Sequence, residues 1–139
     1  MTGKAGILWV TSTPKSISPS TMNKWYIEEH IPDTINTSVF NSAFRYENIT
    51  DSTVFKSASS KKDEFLSFYP VRDLKLLETP EYANIPVRSK TLGEGTDEKL
   101  CYDVISFGVR NYEFIDSFEG EKARTHPCEY NVFNAKDLS

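Results

Sequence analysis

The order of strand-like and helix-like segments is the feature that most limits how this chain can fold. Runs rich in β-branched and aromatic residues, or with alternating polarity, predict strands, whereas apolar residues at helical spacing predict helices. Strands are predicted at residues 5–11, 42–49, 64–71 and 102–115. One helix is predicted to begin after Ser18 or Ser20 and to run to about Ile31 or onward to Asn36, and a second occupies residues 73–83.

The resulting order of strand, helix, strand, strand, helix, strand predicts an α+β domain. This βαββαβ order is typical of a ferredoxin-like fold, with an antiparallel sheet and helices on one of its faces. Residues 7–10 (ILWV) are apolar in succession, which predicts that both faces of the first strand are buried. A second copy pressed sheet to sheet would cover the other face, so a homodimer is expected.

The remaining segments are assigned as connections. Residues 12–20 and 50–62 are polar and are predicted to be loops, and Gly93 with Gly95 predicts a bend. Gly108, inside the last strand, predicts either a bulge or a close approach of another group. Residues 1–116 therefore form the predicted domain. Residues 117–139 form a predicted extension that packs on the domain or on a partner, with a short strand at residues 130–133.

Size and charge exclude several classes of protein. A chain of 139 residues is long enough for one domain with its own core. Its net charge of −4 and its scattered basic residues lack the electrostatic footprint of a nucleic-acid binder. The sequence shows neither an apolar run of the ~20 residues that a membrane helix needs nor a signal segment, so a cytoplasmic protein without membrane contact is expected.

The segment WYIEEHIPD, residues 25–33, places acids and an imidazole where a docking helix needs an apolar stripe. On a helical wheel, one side holds Met22, Trp25, Tyr26, Glu29 and Asp33, with His30 at its margin, and the other side holds Lys24 and Glu28. Glu29 and Asp33 are therefore predicted to point inward. Buried carboxylates need partners or protons, so this segment is the candidate functional site.

Pro32 predicts a kink or stop in this helix, because proline cannot donate to the carbonyl of Glu28 and biases Ile31 away from helical angles. A helix end near His30 would surround the imidazole with unpaired carbonyls and favour its charged form, whereas burial would oppose it. His30 is therefore predicted to titrate near neutral pH, as suits a proton carrier. Glu29 is expected to orient or tune it, which makes His30 and Glu29 the catalytic candidates.

The candidate ligand-binding residues are aromatic or charged: Trp25, Tyr26, Asp33, Phe44, Arg45 and Tyr69. The aromatic residues can serve as core or as a ligand platform. Asp33 faces either the pocket or a following turn as its N-cap. Arg45 either reaches solvent at a sheet edge or binds an anionic group of a ligand.

Metal and cofactor chemistry find little support in the sequence. Glu29, His30 and Asp33 are possible ligands, as are His126 and Cys128, but their spacing matches no zinc or facial-triad signature. Neither cysteine has a neighbouring base, and no strained serine elbow is present. We therefore expect no metal and no cofactor.

Together with SAFRYEN and FYPVRDL further along, WYIEEHIPD resembles the EthD-like group of the dimeric α/β-barrel superfamily, particularly its small fungal proteins. The resemblance covers the region from Gly6 to about Ile115. It implies a dimeric α/β barrel and assigns the motif histidine to His30 and the preceding acid to Glu29. Many related fungal proteins repeat the motif in a second half, whereas this chain has one copy, which makes self-association more necessary.

The resemblance also implies an activity. Such proteins include cofactor-independent lyases, decarboxylases and cyclases that act on polyketides or other hydrophobic metabolites. The expected function is a cofactor-independent lyase, isomerase or cyclase that decarboxylates, dehydrates or cyclises a hydrophobic polyketide- or terpenoid-like molecule in secondary metabolism. The alternatives are a non-catalytic binding or carrier protein for such a metabolite and an oxygenase without cofactor.

Overall fold

One four-stranded antiparallel sheet forms the centre of the protein. The computed structural model describes residues 3–49 and 63–121. The sheet has the order β2-β3-β1-β6, built from β1 (Gly6–Pro14), β2 (Phe44–Glu47), β3 (Phe65–Val71) and β6 (Ile105–Glu113). A small two-stranded sheet joins β4 (Arg88–Ser89) to β5 (Lys99–Leu100). The fold is α+β with the strand order of a ferredoxin-like domain, as the sequence predicts.

The helices are short and are distributed over the two predicted crossovers. The first crossover contains α1 (Pro19–Trp25), a π-helical turn (Tyr26–His30) and α2 (Ile31–Ile35). The segment after β3 contains a 3₁₀ helix (Leu74–Glu78), α3 (Pro80–Ala83) and, after β5, α4 (Cys101–Val104). The Ser18 hydroxyl accepts a hydrogen bond of 3.0 Å from the amide of Thr21, so the predicted N-cap at Ser18 is confirmed.

The two faces of the sheet differ in what covers them. Leu8 and Val10 of β1 face the helices, whereas Ile7, Trp9 and Thr11 face the other way because side chains alternate along a strand. Ile7 and Trp9 are only partly buried. We call the side that carries Trp9 the open face of the sheet.

The space between sheet and helices holds two clusters of buried side chains. One is centred on the first helical segment and contains Met22, Trp25, Tyr26, Phe65, Leu92, Cys101, Val104 and Ile105. The other is centred on β1 and β3 and contains Leu8, Val39, Phe40, Tyr69 and Val71. The two clusters meet under the first crossover, so this is where a cavity can form between them.

Gly108 is required by a close contact. The pairing of β1 with β6 runs in unbroken register through Gly108, which lies opposite Thr11. The bulge allowed by the sequence is therefore wrong. A Cβ atom at position 108 would lie 2.6 Å from the Thr11 hydroxyl oxygen, so the other alternative, a close approach, is confirmed.

Several expectations concern residues outside the described ranges. The predicted loop at residues 50–62 and the short strand at residues 130–133 lie there. Of the predicted C-terminal extension, only residues 117–121 are described. Just before it, the Phe114 amide donates to the carbonyl of Ala5 at 2.8 Å. The boundary after residue 116 stays a prediction.

Arg45 joins the sheet to the first helix. Its side chain points from β2 into the layer under α1, where it donates to the Asn23 amide oxygen at 2.8 and 3.0 Å and to the Ser67 hydroxyl at 2.7 Å. The guanidinium carbon also lies 3.6 Å from the centre of the Tyr26 ring, a cation–π contact. The expectation that Arg45 reaches solvent or binds a ligand anion is wrong, because neighbouring protein groups already occupy its donors.

Replacing Arg45 with Met should lower the free energy of unfolding by about 2–3 kcal/mol, because buried hydroxyl and amide groups lose a charged partner. Urea unfolding followed by far-ultraviolet circular dichroism measures this change. Arg88→Met, at an exposed position on β4, is the control and should stay within about 0.5 kcal/mol of wild type. Equal stability of the two variants would show that the Arg45 contacts contribute nothing.

Candidate functional site

A π-helical turn at Tyr26–His30 sets the orientation of the candidate residues. The amide of Ile31 donates to the carbonyl of Tyr26, five residues earlier, instead of four as in an α-helix. This wider turn comes just before Pro32, whose ring would crowd the carbonyl of Glu28 in a regular helix. The helix then continues to Ile35, and Ile31 keeps helical angles of φ −65° and ψ −48°. Of the predicted alternatives, the stop at Pro32 is wrong, and the continuation of the helix to about Asn36 is confirmed.

The π turn moves the inward-facing positions by one residue. Each residue of a helix rotates the side chain by about 100°, so one additional residue in a turn changes which side chains face the sheet. The helical wheel places Glu29 and Asp33 inward. The structure instead places His30 and Thr34 against the cavity, and Thr34 is buried. The Thr34 hydroxyl donates to the His30 carbonyl at 2.6 Å.

A cavity of about 190 Å³ lies between the sheet and the helices, where the two buried clusters meet. Its wall is mainly apolar and aromatic. It is lined by Leu8, Val10, Trp25, Tyr26, His30, Thr34, Phe40, Tyr69, Tyr82, Ala83, Ile85, Val87, Cys101, Tyr102, Phe107 and Val109. Four predicted site residues, Trp25, Tyr26, His30 and Tyr69, are therefore brought together around one cavity.

His30 is held between aromatic rings. Its imidazole stacks on the indole of Trp25, with ring centres 4.6 Å apart, and meets the Tyr26 ring edge-on at 5.4 Å. The carbonyl of Pro86 accepts a hydrogen bond from the imidazole. In the part of the chain that the structure describes, Nδ1 is buried without a hydrogen-bond partner, so it is the imidazole nitrogen available to a ligand in the cavity.

The imidazole is neutral at physiological pH. Burial, the largest cause, and the positive charge of Arg45 together lower the pKa of His30 to about 4, while the hydrogen bond to the backbone of Pro86 acts in the opposite direction. The prediction of titration near neutral pH is wrong for two reasons. The helix does not end at His30, and no carboxylate is among the groups that shift its pKa.

Tyr69 supplies a second unpaired polar atom. Its hydroxyl is buried, and among residues 3–49 and 63–121 it has no partner in good hydrogen-bonding geometry, although the nearby Ser67 hydroxyl acts to lower its pKa. Burial raises the pKa of this phenol, so it stays protonated. The Tyr26 hydroxyl interacts with Ser12 and Arg45, and burial raises its pKa to about 12. His30 Nδ1 and the Tyr69 hydroxyl thus lie at one cavity, and neither of these two atoms has a partner in good hydrogen-bonding geometry within the described ranges.

Glu29 turns away from His30. Both of its carboxylate oxygens accept from the Ser89 hydroxyl, at 2.7 and 2.9 Å, and the Ser89 oxygen in turn accepts from the Thr91 amide at 2.9 Å. The carboxylate therefore ties the π turn to the segment that follows β4. The structure does not bring Glu29 to the imidazole as an orienting group.

Two further predicted site residues lie away from the cavity. Asp33 is inside the first turn of α2 and does not line the cavity, so neither of its two predicted roles, pocket residue or N-cap, describes it. Phe44 faces the open side of the sheet, where it stacks on Phe68 with ring centres 4.9 Å apart. Phe44 therefore belongs to the opposite side of the sheet from His30.

Sequence reasoning does not find Thr34, Tyr82 or Cys101 as site residues, although all three line the cavity. Pro32 is the sequence signal that could have identified Thr34. A π turn before a proline inside a helix changes which side chains of that helix face the sheet. The helical spacing of Tyr82 with Leu74 and Leu77 predicts a core residue and gives no sign of a ligand site. Cys101 has no neighbouring base, and burial raises the pKa of its thiol to about 11, so it is not an activated nucleophile.

Residues 3–49 and 63–121 contain no group of three His, Cys, Asp or Glu side chains placed to hold a metal ion. The helices in these ranges are all too short or too polar to cross a membrane.

Comparison with known proteins gives one distant relative. The chain is 25% identical over 122 residues to Core atranone cluster (CAC) protein 1 of Stachybotrys chlorohalonatus (strain IBT 40285). The alignment covers 86% of this chain and 48% of that protein, so the chain spans about half the length of its relative. No family model matches the chain, and no solved structure matches it significantly.

The low pKa of His30 predicts a stability that depends on pH. Between about 4 and the ordinary value of 6.5, the unfolded chain binds a proton that folded His30 does not. The free energy of unfolding should therefore fall as the pH drops from 6.5 towards 4, by on the order of 3 kcal/mol. His30→Phe keeps an aromatic ring against Trp25 and should lack this part of the loss.

Urea unfolding of both proteins at pH 7.5 and pH 4.5 measures the difference, since the other titrating groups are common to both. Nuclear magnetic resonance of a His126→Gln variant, which leaves one imidazole in the chain, gives the pKa of His30 directly. A value near 6.5, with equal acid sensitivity of wild type and His30→Phe, would contradict the buried neutral imidazole.

Proposed function

We propose that this protein is a cofactor-independent lyase, isomerase or cyclase that binds a largely apolar small molecule and exchanges a proton with it at His30. The observation that carries the proposal is the pair of buried, unpaired polar atoms, His30 Nδ1 and the Tyr69 hydroxyl, on residues that line one cavity. Each such atom costs about 1–3 kcal/mol when it stays unpaired. A hydroxyl or carbonyl group of a ligand would supply the missing partner.

The neutral imidazole defines the direction of the first proton transfer. Nδ1 is the buried nitrogen without a partner among the described residues, so the neutral imidazole would accept a proton there and later return it. Negative charge that develops on the substrate would raise the pKa of the imidazole, because an opposite charge favours imidazolium. The aromatic wall excludes water and strengthens this electrostatic coupling.

The same surroundings favour an uncharged substrate. Arg45 acts electrostatically on His30, but its guanidinium is hydrogen-bonded to Asn23, Ser12 and Ser67, and it does not line the cavity. An anionic ligand would lose its hydration without gaining a partner. The Tyr69 hydroxyl would instead donate to, or accept from, a neutral oxygen of the substrate.

Two similarities support a role in secondary metabolism. The relative is named for the atranone cluster, a secondary-metabolite cluster. The EthD-like resemblance of residues 25–33, with His30 as the motif histidine, points to a polyketide- or terpenoid-like substrate. Both similarities agree with an apolar cavity that contains few polar atoms.

A carrier protein is the second candidate, and the surroundings of His30 favour it. Glu29 is bonded to Ser89 and does not orient the imidazole, and a pKa of about 4 makes His30 a weak base. The same cavity would then hold the metabolite without transforming it.

Replacing His30 with Ala should lower the initial rate by about 10²- to 10⁴-fold, the usual contribution of a general base. The purified protein is incubated with extract from the source organism lacking its gene, and the loss of the accumulated compound is followed by mass spectrometry. Glu28→Gln, at an exposed position of the same turn, is the matched control and should keep full activity. Full activity of a folded His30→Ala protein would remove His30 from the mechanism.

The same incubation separates the enzyme from the carrier. A change in the mass of the bound compound, such as loss of carbon dioxide or water, indicates catalysis, whereas an unchanged mass after long incubation indicates a carrier. Repeating the incubation without oxygen identifies an oxygenase, because its turnover would stop.

We further propose that the protein is a homodimer that buries the open face of the sheet. An aromatic surface lies there, made of Trp9, Phe44, Tyr46, Phe68 and Tyr112. Tyr46 and Tyr112 are 42% and 47% exposed in one protomer. An exposed aromatic patch of this kind is typical of a protein interface.

Light scattering at micromolar concentration should give twice the chain mass of 15.9 kDa for the wild type. Tyr112→Glu should shift the mass to that of one chain, because it places a charge in the aromatic surface. Ile27→Glu, at an exposed apolar position on the helix layer, should leave the dimer intact. A monomer mass for the wild type would exclude the dimer.

A further inference from the structure

A second cavity adjoins the one at His30. It has a volume of about 350 Å³ and reaches towards Leu74 and Leu77 of the 3₁₀ helix, and it opens to solvent at the exposed residues Glu78 and Asn111. Leu8, Tyr82 and Val109 line both cavities. These three side chains therefore form the wall between the two spaces.

The sizes of the cavities suggest that they work together. The cavity at His30, of about 190 Å³, is slightly larger than a cavity of ~150 Å³ that holds benzene in another protein, so it suits a single ring. Ligand pockets usually measure about 300–1,000 Å³. A molecule of more than one ring, held at His30, would have to extend into the neighbouring space.

We propose that the two cavities form one ligand-binding site and that the Tyr82 ring is the divider that sets how far a ligand extends from His30 towards Leu74 and Leu77. The proposal rests on the proposed function, in which the cavity at His30 holds the ligand. It adds that the ligand is elongated, with a neutral oxygen at His30 and Tyr69 and an apolar body that passes between Leu8 and Val109.

Tyr82 differs from the other two shared residues in what its side chain can do. Leu8 is buried in the central strand, and its backbone pairs with strands on both sides. Val109 is short and 57% exposed on the edge strand. Tyr82 has the largest side chain of the three, so its ring occupies or vacates the most space between the cavities.

The backbone that carries Tyr82 is fixed. Its helix, α3, is a single turn whose Glu81 carboxylate accepts from the amide of Ser38 at 2.6 Å and from the Ser38 hydroxyl. The Tyr82 ring meets Phe40 edge-on, with ring centres 6.0 Å apart. A ring in an edge contact on a fixed turn can change its position by side-chain rotation alone, without movement of the surrounding fold.

The test compares the binding of straight-chain primary alcohols from hexanol to dodecanol. Binding is followed by the fluorescence of Trp25, which is part of the cavity wall, in a Trp9→Phe background that removes the other tryptophan. Each added methylene that becomes buried should tighten binding about fourfold. In the protein with Tyr82 this gain should stop at a limiting length.

Tyr82→Ala should move the limit to longer alcohols and strengthen binding of dodecanol relative to hexanol by about tenfold or more. Tyr82→Phe keeps the ring and should behave as wild type. Val109→Ala opens the same wall from an exposed strand position, where folding is not at risk, and should move the limit in the same direction by a smaller amount.

The outcomes separate this proposal from the proposed function. One outcome is that hexanol binds and that the limiting length is the same in wild type, Tyr82→Ala and Val109→Ala. This result would overturn the proposal that Tyr82 divides the two cavities, and it would leave the site at His30 intact. If Tyr82→Ala does not fold, an unchanged limit in Val109→Ala has the same meaning. Failure of every protein to bind any alcohol would overturn both proposals.

Discussion

The hydrogen bond from the Ile31 amide to the Tyr26 carbonyl is the constraint on which the site depends. It replaces one α-helical turn by a wider π turn and lets Pro32 remain inside a helix that continues to Ile35. The π turn changes which side of the helix faces the cavity. The His30 imidazole and the Thr34 hydroxyl lie where a regular helix would place the carboxylates of Glu29 and Asp33. The cavity is therefore uncharged on this side, and the acids of the same segment bind elsewhere, as Glu29 does at Ser89.

The charged side chain that the sheet contributes, Arg45, is also kept out of the cavity. Arg45 lies beneath the same helix, yet its guanidinium is surrounded by hydroxyl and amide oxygens and by the Tyr26 ring. Arg45 still acts on His30 over a distance, because its positive charge helps to keep the imidazole neutral. Burial and a remote cation thus act in the same direction. The resulting site suits chemistry in which charge appears on the substrate during the reaction and is absent before it.

The fold could be predicted from the sequence because its signals are local. Strand β2 and the N-cap at Ser18 follow from alternation and capping chemistry, and the order of elements gives the ferredoxin-like architecture. The site could be predicted only in part. His30, Trp25, Tyr26 and Tyr69 come together, whereas the inward face of the helix depends on one backbone hydrogen bond that a wheel with a regular period cannot represent. The pairing of Glu29 with Ser89, sixty residues later in the chain, leaves no sequence signal at all.

The acceptor of the His30 hydrogen bond is a main-chain carbonyl, that of Pro86. In many enzymes a carboxylate side chain accepts the hydrogen bond from the histidine, and a single substitution can remove that acceptor. A backbone oxygen persists through any replacement at its own position that keeps the path of the chain. The acceptor beside the imidazole is thus set by the path of the backbone, and replacing Pro86 with a residue that keeps this path would leave the acceptor in place.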